Sequence, residues 1–176
     1  MKKLIKFSIA AAAISASCAA FAASDDGIQV DFSGKLVSSS CNVSVNSGQS
    51  SVDMGNIDTS TLSLGDSTTD VPFNVDITNC PSSVTSAALD FEGTAFPGNT
   101  TVFSLTSATG NAMDHMALQI KDQNSGSYLT PSVSSTEHDL TNGTVSIPLA
   151  ASLKVMAAGV DDGDFTASTS LHVIYQ

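Results

Sequence analysis

The 176-residue sequence has no arginine and no tryptophan, and it carries only six lysines. Lys2, Lys3 and Lys6 fall in the first six residues, which leaves Lys35, Lys121 and Lys154 for the rest of the chain. Phosphate recognition needs clustered Lys and Arg, so a nucleic-acid partner is excluded. Docking on anionic lipid is excluded for the same reason. Histidine is also scarce. His115, His138 and His172 do not stand at metal-ligand spacing from one another or from a cysteine, and they read as solvated or strand-face residues rather than a metal centre. No Gly-x-Ser-x-Gly elbow, Gly-rich phosphate loop or His-Glu-x-x-His motif occurs. The chain therefore offers no catalytic residues, no metal site and no cofactor site, and it is not read as an enzyme.

Long apolar runs are missing everywhere except at the start. Met1 to Lys6 is basic, Phe7 to Phe21 is uncharged and apolar or small, and Ala20-Phe21-Ala22 has the small-x-small pattern of a cleavage site. This is a secretory signal peptide spanning residues 1–22. The apolar stretch is shorter than the roughly 20 residues that cross a bilayer. The residues before Cys18, Ser15-Ala16-Ser17, lack the large aliphatic residue of a lipobox. No later segment is apolar enough to insert in a membrane. Every acidic residue lies at Asp25 or beyond, so removing three lysines and no acid takes the charge from −11 to −14. Of the three cysteines, Cys18 leaves with the signal. Cys41 and Cys80 remain, and an even count in an oxidising compartment reads as one disulfide. With no Cys-x-x-Cys and no adjacent histidine, a metal pair or a catalytic thiol is the weaker reading. Closing such a loop stabilises by about 4 kcal/mol on the chain-entropy model.

What the chain has in quantity is alternation with a period of two. Ile28, Val30, Phe32, Gly34 and Leu36 alternate with polar residues, and so do Val71, Phe73, Val75 and Ile77. Met116, Leu118 and Ile120 follow the same rule, and Val145 and Ile147 lead into Pro148. The last stretch is the longest, with Phe165, Ala167, Thr169, Leu171, Val173 and Tyr175 on one face, ending at Gln176. Alternation of this kind means half-buried strands. Turn clusters such as Asn46-Ser47-Gly48, Asn124-Ser125-Gly126 and Asn142-Gly143 separate them. No window has a helical stripe. Short strands with frequent turns predict an all-β sandwich of immunoglobulin type in one domain.

Both ends of the mature chain are alternating stretches with apolar faces, which is a liability in an uncovered strand. The N-terminal one reads either as the first strand of the sandwich or as a strand offered to a neighbour. In the second case it enters a groove beside the C-terminal strand of the next molecule. That contact is β-augmentation of a head-to-tail kind, which builds an open filament.

At this point the sequence resembles the chaperone–usher pilins, specifically the type 1 fimbrial major-subunit family. The resemblance covers nearly all of the mature chain. It is carried by Val30-Asp31-Phe32-Ser33-Gly34-Lys35-Leu36-Val37 ahead of Cys41, by Met54-Gly55-Asn56-Ile57, and by Pro72-Phe73-Asn74-Val75-Asp76-Ile77-Thr78-Asn79-Cys80-Pro81. Further on come Phe91-Glu92-Gly93-Thr94-Ala95, Leu140 to Pro148, and the penultimate tyrosine in Val173-Ile174-Tyr175-Gln176. The resemblance implies an incomplete immunoglobulin-like sandwich lacking its last strand, in residues 37–176, preceded by a donor strand in 23–36. The donor positions would be Ile28, Val30, Phe32, Gly34 and Leu36. The groove and chaperone-binding strand would carry Phe165, Ala167, Thr169, Leu171, Val173, Tyr175 and Gln176. The implied partners are a periplasmic pilus chaperone, an outer-membrane usher and neighbouring subunits, and the implied location is a cell-surface fimbrium. Other readings within reach of the same sequence are a minor adaptor or terminator pilin, or a monomeric exported lectin or adhesin sandwich.

Overall fold

The computed structural model describes residues 41–159 and 163–176. The signal peptide, the donor positions Ile28, Val30, Phe32, Gly34 and Leu36, and the 23–36 segment as a whole lie outside the described residues. The described residues form eleven strands: β1 Asn42–Val45, β2 Val71–Thr78, β3 Ser86–Glu92, β4 Ala95–Phe96, β5 Asn99–Ser107, β6 Ala112–Asp122, β7 Tyr128–Leu129, β8 His138–Asp139, β9 Val145–Val155, β10 Phe165–Thr166 and β11 Ser170–Tyr175.

Two antiparallel sheets result. The larger has the order β1-β2-β9-β6-β5-β10, with β4 also on β5 and β7 on β6. The smaller has the order β11-β3-β8. The inward residues follow from alternation where it is present. Phe73, Val75 and Ile77 of β2 are buried, and the residues between them are exposed or half-buried. With Ile120, Ile147 and Leu149 from the larger sheet and Leu89 and Phe91 from the smaller, they make one core between the sheets.

Two strands go beyond what alternation indicates. β9 does not end near Pro148 but runs to Val155, and Leu149 to Leu153 is buried without a break. This strand is central, with β2 on one side and β6 on the other. Where β2 stops, the segment 65–68 takes its place: the amides of Gly65 and Thr68 donate to the carbonyls of Val155 and Leu153 at 3.0 and 2.8 Å. Residues 149–153 are buried on both faces, and such a strand has no reason to alternate. β5 is hidden from a periodic reading by a different cause. Val102 packs against Phe96 and Ala117, whereas its neighbour Phe103 joins the main core. The register then shifts between Ser104 and Leu105.

The turn at Asn142-Gly143 is as the sequence indicates. Both residues have positive φ, 53° and 72°, and Thr141 and Thr144 exchange backbone hydrogen bonds of 2.9 and 3.1 Å. This is the type I′ hairpin, whose twist matches that of its strands. Gly143 also receives the end of β2, because its carbonyl accepts the Cys80 amide at 3.0 Å. Cys80 is joined to Cys41 with an S–S length of 2.07 Å and a Cα–Cα distance of 4.3 Å. The bridge therefore closes the short edge pair of β1 and β2.

Candidate cleft along the C-terminal strand

The final alternating stretch is not one strand. Phe165 and Thr166 pair with Ser107 and Thr106 of β5, in the larger sheet. Ser170 to Tyr175 pair with Glu92 to Ala87 of β3, in the smaller sheet. Residues 167–169 cross from one sheet to the other. Gly93 makes room for that crossing: a Cβ there would stand 3.0 Å from the Phe103 ring and 3.2 Å from the Thr169 methyl. The Thr169 methyl and the Phe103 ring thus close over Gly93, where a side chain has no space.

Leu171, Val173 and Tyr175 face the core but are only half-buried. Their neighbours on β3 are closed off, with Leu89 1% and Phe91 5% exposed. The difference lies in the cover. β3 has β11 on one side and β8 on the other, whereas β11 pairs with β3 alone among the described residues. Beside this open edge runs a cleft of about 870 Å³. Phe165 to Thr169 and Leu171 line one wall, and residues 50–57, with Val52, Met54 and Ile57 directed to the core, line the other. The floor is apolar: Phe73, Phe91, Leu105, Leu118, Ile120 and Leu153.

Of the residues named from sequence for this strand, Phe165, Thr169, Leu171, Val173 and Tyr175 are half-buried, and Ala167 is exposed at the crossing. Gln176 closes the strand. Its amide donates to the Ser86 carbonyl at 3.0 Å, and its carbonyl oxygen accepts the Thr85 amide at 2.8 Å. Burial pushes the Tyr175 phenol above its ordinary value of 10.0. The opposite wall was not legible as a site. Val52, Met54 and Ile57 sit in an irregular segment, and only their spacing as half-buried residues among exposed ones marks them.

Chemically the cleft has the shape and lining that suit an extended apolar chain. Among the described residues one edge of β11 has no partner strand and is open to main-chain hydrogen bonds, and the apolar floor can take every second side chain. Among the described residues, no group of three or more His, Cys, Asp or Glu is placed to hold a metal ion. The histidines divide. His172 is exposed on β11, 3.2 Å from Glu92. His138, expected at a solvated or strand-face position, lies on the inward face of β8 and is buried, with its Nε2 3.2 Å from Asp122 Oδ2. The two side chains are 7% and 1% exposed, and the pair is not aligned for a hydrogen bond. Asp122 already accepts from the Asn124 amide at 2.8 Å and from Ser125 Oγ at 3.0 Å, so it holds the β6–β7 turn while its carboxylate lies against His138 of β8. It lies outside the cleft lining.

A family model described as "Fimbrial protein" matches residues 30–176. The chain is similar to "Type-1 fimbrial protein, A chain" of Escherichia coli strain K12, at 32% identity over 182 aligned residues covering 100% of this chain and 99% of the relative. It is similar to "Fimbrial subunit type 1" of Klebsiella pneumoniae, at 32% identity over 155 residues covering 86% of this chain and 85% of the relative. Among solved structures, the P pilus rod subunit PapA superposes with a TM-score of 0.64 at 21% identity, covering 77% of this chain and 99% of that one.

Proposed function

The chain belongs to the fimbrial protein family and is a structural pilus subunit rather than an enzyme, and from that premise we propose that it polymerises by donor-strand exchange. Residues 1–22 direct export and are removed, 23–36 form the donor strand, and 37–176 form the pilin domain. A periplasmic chaperone first fills the cleft beside β11, and an outer-membrane usher then passes the subunit on. Ile28, Val30, Phe32, Gly34 and Leu36 of one subunit enter the cleft of the next, between residues 50–57 and the strand ending at Gln176. The product is a head-to-tail fibre on the cell surface that supports adhesion.

The observation that carries this reading is the half-covered inward face of Leu171, Val173 and Tyr175 next to an apolar cleft. A strand with alternating Ile, Val, Phe and Leu supplies what that face lacks. Burying those four side chains contributes roughly 6–12 kcal/mol gross. Strand hydrogen bonds add to this, and ordering and association subtract. A whole domain is stable by only about 5–15 kcal/mol, so the inserted strand is a large fraction of the fold. Gly34 fits the same picture, since a side chain there meets a crowded floor.

Cells expressing the chain without residues 24–36, or with Gly34→Trp, should export a subunit that still binds its chaperone but makes no fibre in electron micrographs. Normal fibres from the deletion would overturn the reading. Deleting the whole chain separates the roles further: loss of the entire fibre marks a shaft subunit, and loss of a tip or a change in length marks an adaptor or a terminator.

A further inference from the structure

Three of the methionines after residue 22 stand together. Met54, Met113 and Met116 all line the cleft, and all three belong to the cluster of Leu105, Leu153 and Val155 at one end of it. The fourth, Met156, packs elsewhere, against Phe96, Val102 and Ala117. Met116 belongs to the floor and is 3% exposed. Met54 and Met113 are half-buried and line the cleft beside it. Thioethers suit a receptor that takes different strands in turn, because methionine is flexible and polarizable and fills irregular gaps. The same side chain has a weakness. Oxidation turns an apolar thioether into a polar sulfoxide, and a polar group buried without a partner is costly.

Resting on the reading that this cleft receives a strand, we propose that Met54 and Met113 form an oxidation site that controls strand uptake. While the cleft is open, a peroxide converts them to sulfoxides and the subunit no longer accepts a strand. Once a strand is in place, it shields them. In the chemical step the sulfur lone pair attacks one peroxide oxygen, an S–O bond forms and the O–O bond breaks. The departing hydroxide takes the proton of the transferred hydroxyl and leaves as water. Sulfur is oxidised and peroxide is reduced, so no further reactant is needed. The step is reversible by methionine sulfoxide reductases.

The test treats the full mature chain with hydrogen peroxide, either unpolymerised or after fibre assembly. Peroxide is then removed with catalase, each methionine is read by peptide mass spectrometry, and polymerisation is followed by sedimentation. In the unpolymerised chain Met54 and Met113 should gain oxygen, and polymerisation should fall about tenfold or more, the equivalent of about 1.4 kcal/mol lost from strand binding. In the fibre both should remain thioethers. Sulfoxide reductase should restore polymerisation, which shows that the loss is not unfolding, and Met113→Leu should reduce the peroxide effect where Met156→Leu does not. An untreated chain that never polymerises overturns the donor-strand reading and this inference with it. An untreated chain that polymerises, with the oxidised chain equally fast or Met113 equally oxidised in the fibre, overturns this inference alone.

Discussion

Gly143 shows how much a single position can hold. Its φ of +72° is open to glycine and strained for other residues, and a Cβ would come 2.5 Å from the Cys80 carbonyl oxygen, which is backbone and cannot swing away. Gly143→Ala should therefore cost about 1–3 kcal/mol, measured by urea unfolding with the disulfide intact. Asp122 is a second such residue. Asp122→Ala removes the acceptor for Asn124 and Ser125 and leaves His138 buried without its carboxylate. A loss of about 2–4 kcal/mol is expected by the same measurement, with Asp122→Asn intermediate. Tyr175 gives a pH dependence. Its folded-state value is raised by burial, so the folded state holds the phenolic proton more tightly than the unfolded state does. The contribution is complete below the unfolded value of about 10 and is lost as pH rises through the folded one. Tyr175→Phe should remove that alkaline loss. The Asn-Gly turn was legible at this scale because its chemistry is local. The burial of His138 was not, since it depends on β6 and β8 meeting across the fold.

The elements were read best where one face of a strand is buried and the other is wet. β2 is such a case, and its inward residues are those that alternation selects. β9 and β5 escaped because their apolar residues are consecutive. One is packed on both faces, and the other divides its neighbours between two clusters across a register shift. In the last stretch the alternation holds from Thr169 to Tyr175 but fails at Ala167, and the continuity is broken. Periodicity does not register the change of partner from β5 to β3 that residues 167–169 make. The disulfide was legible from cysteine arithmetic alone. It closes β1 on β2 over a separation of 39 residues, and Cys41→Ser with Cys80→Ser should lower unfolding stability by about 4 kcal/mol. Because β1 has only four residues, most of that loss should appear as early opening of the β1–β2 edge in hydrogen exchange.

For the molecule as a whole, the missing charges and the missing cover describe one design. The chain has no arginine and little lysine, so its contacts with other subunits cannot rest on basic patches. On the donor-strand reading proposed above, they fall to main-chain pairing and apolar side chains at its two ends. Met54-Gly55-Asn56-Ile57 contributed to the family resemblance, but its role as a groove wall was not legible because an irregular segment has no period to detect. A strand in search of cover was legible in the alternation of the last stretch, and among the described residues β11 pairs with β3 alone. The central claim is that a second strand pairs with the free edge of β11. Hydrogen exchange across Ser170–Tyr175, compared between the unpolymerised mature chain and the assembled fibre, tests it most directly. The account predicts exchange on the order of a hundredfold slower in the fibre at the amides that do not bond to β3. Equal exchange in the two states would contradict it.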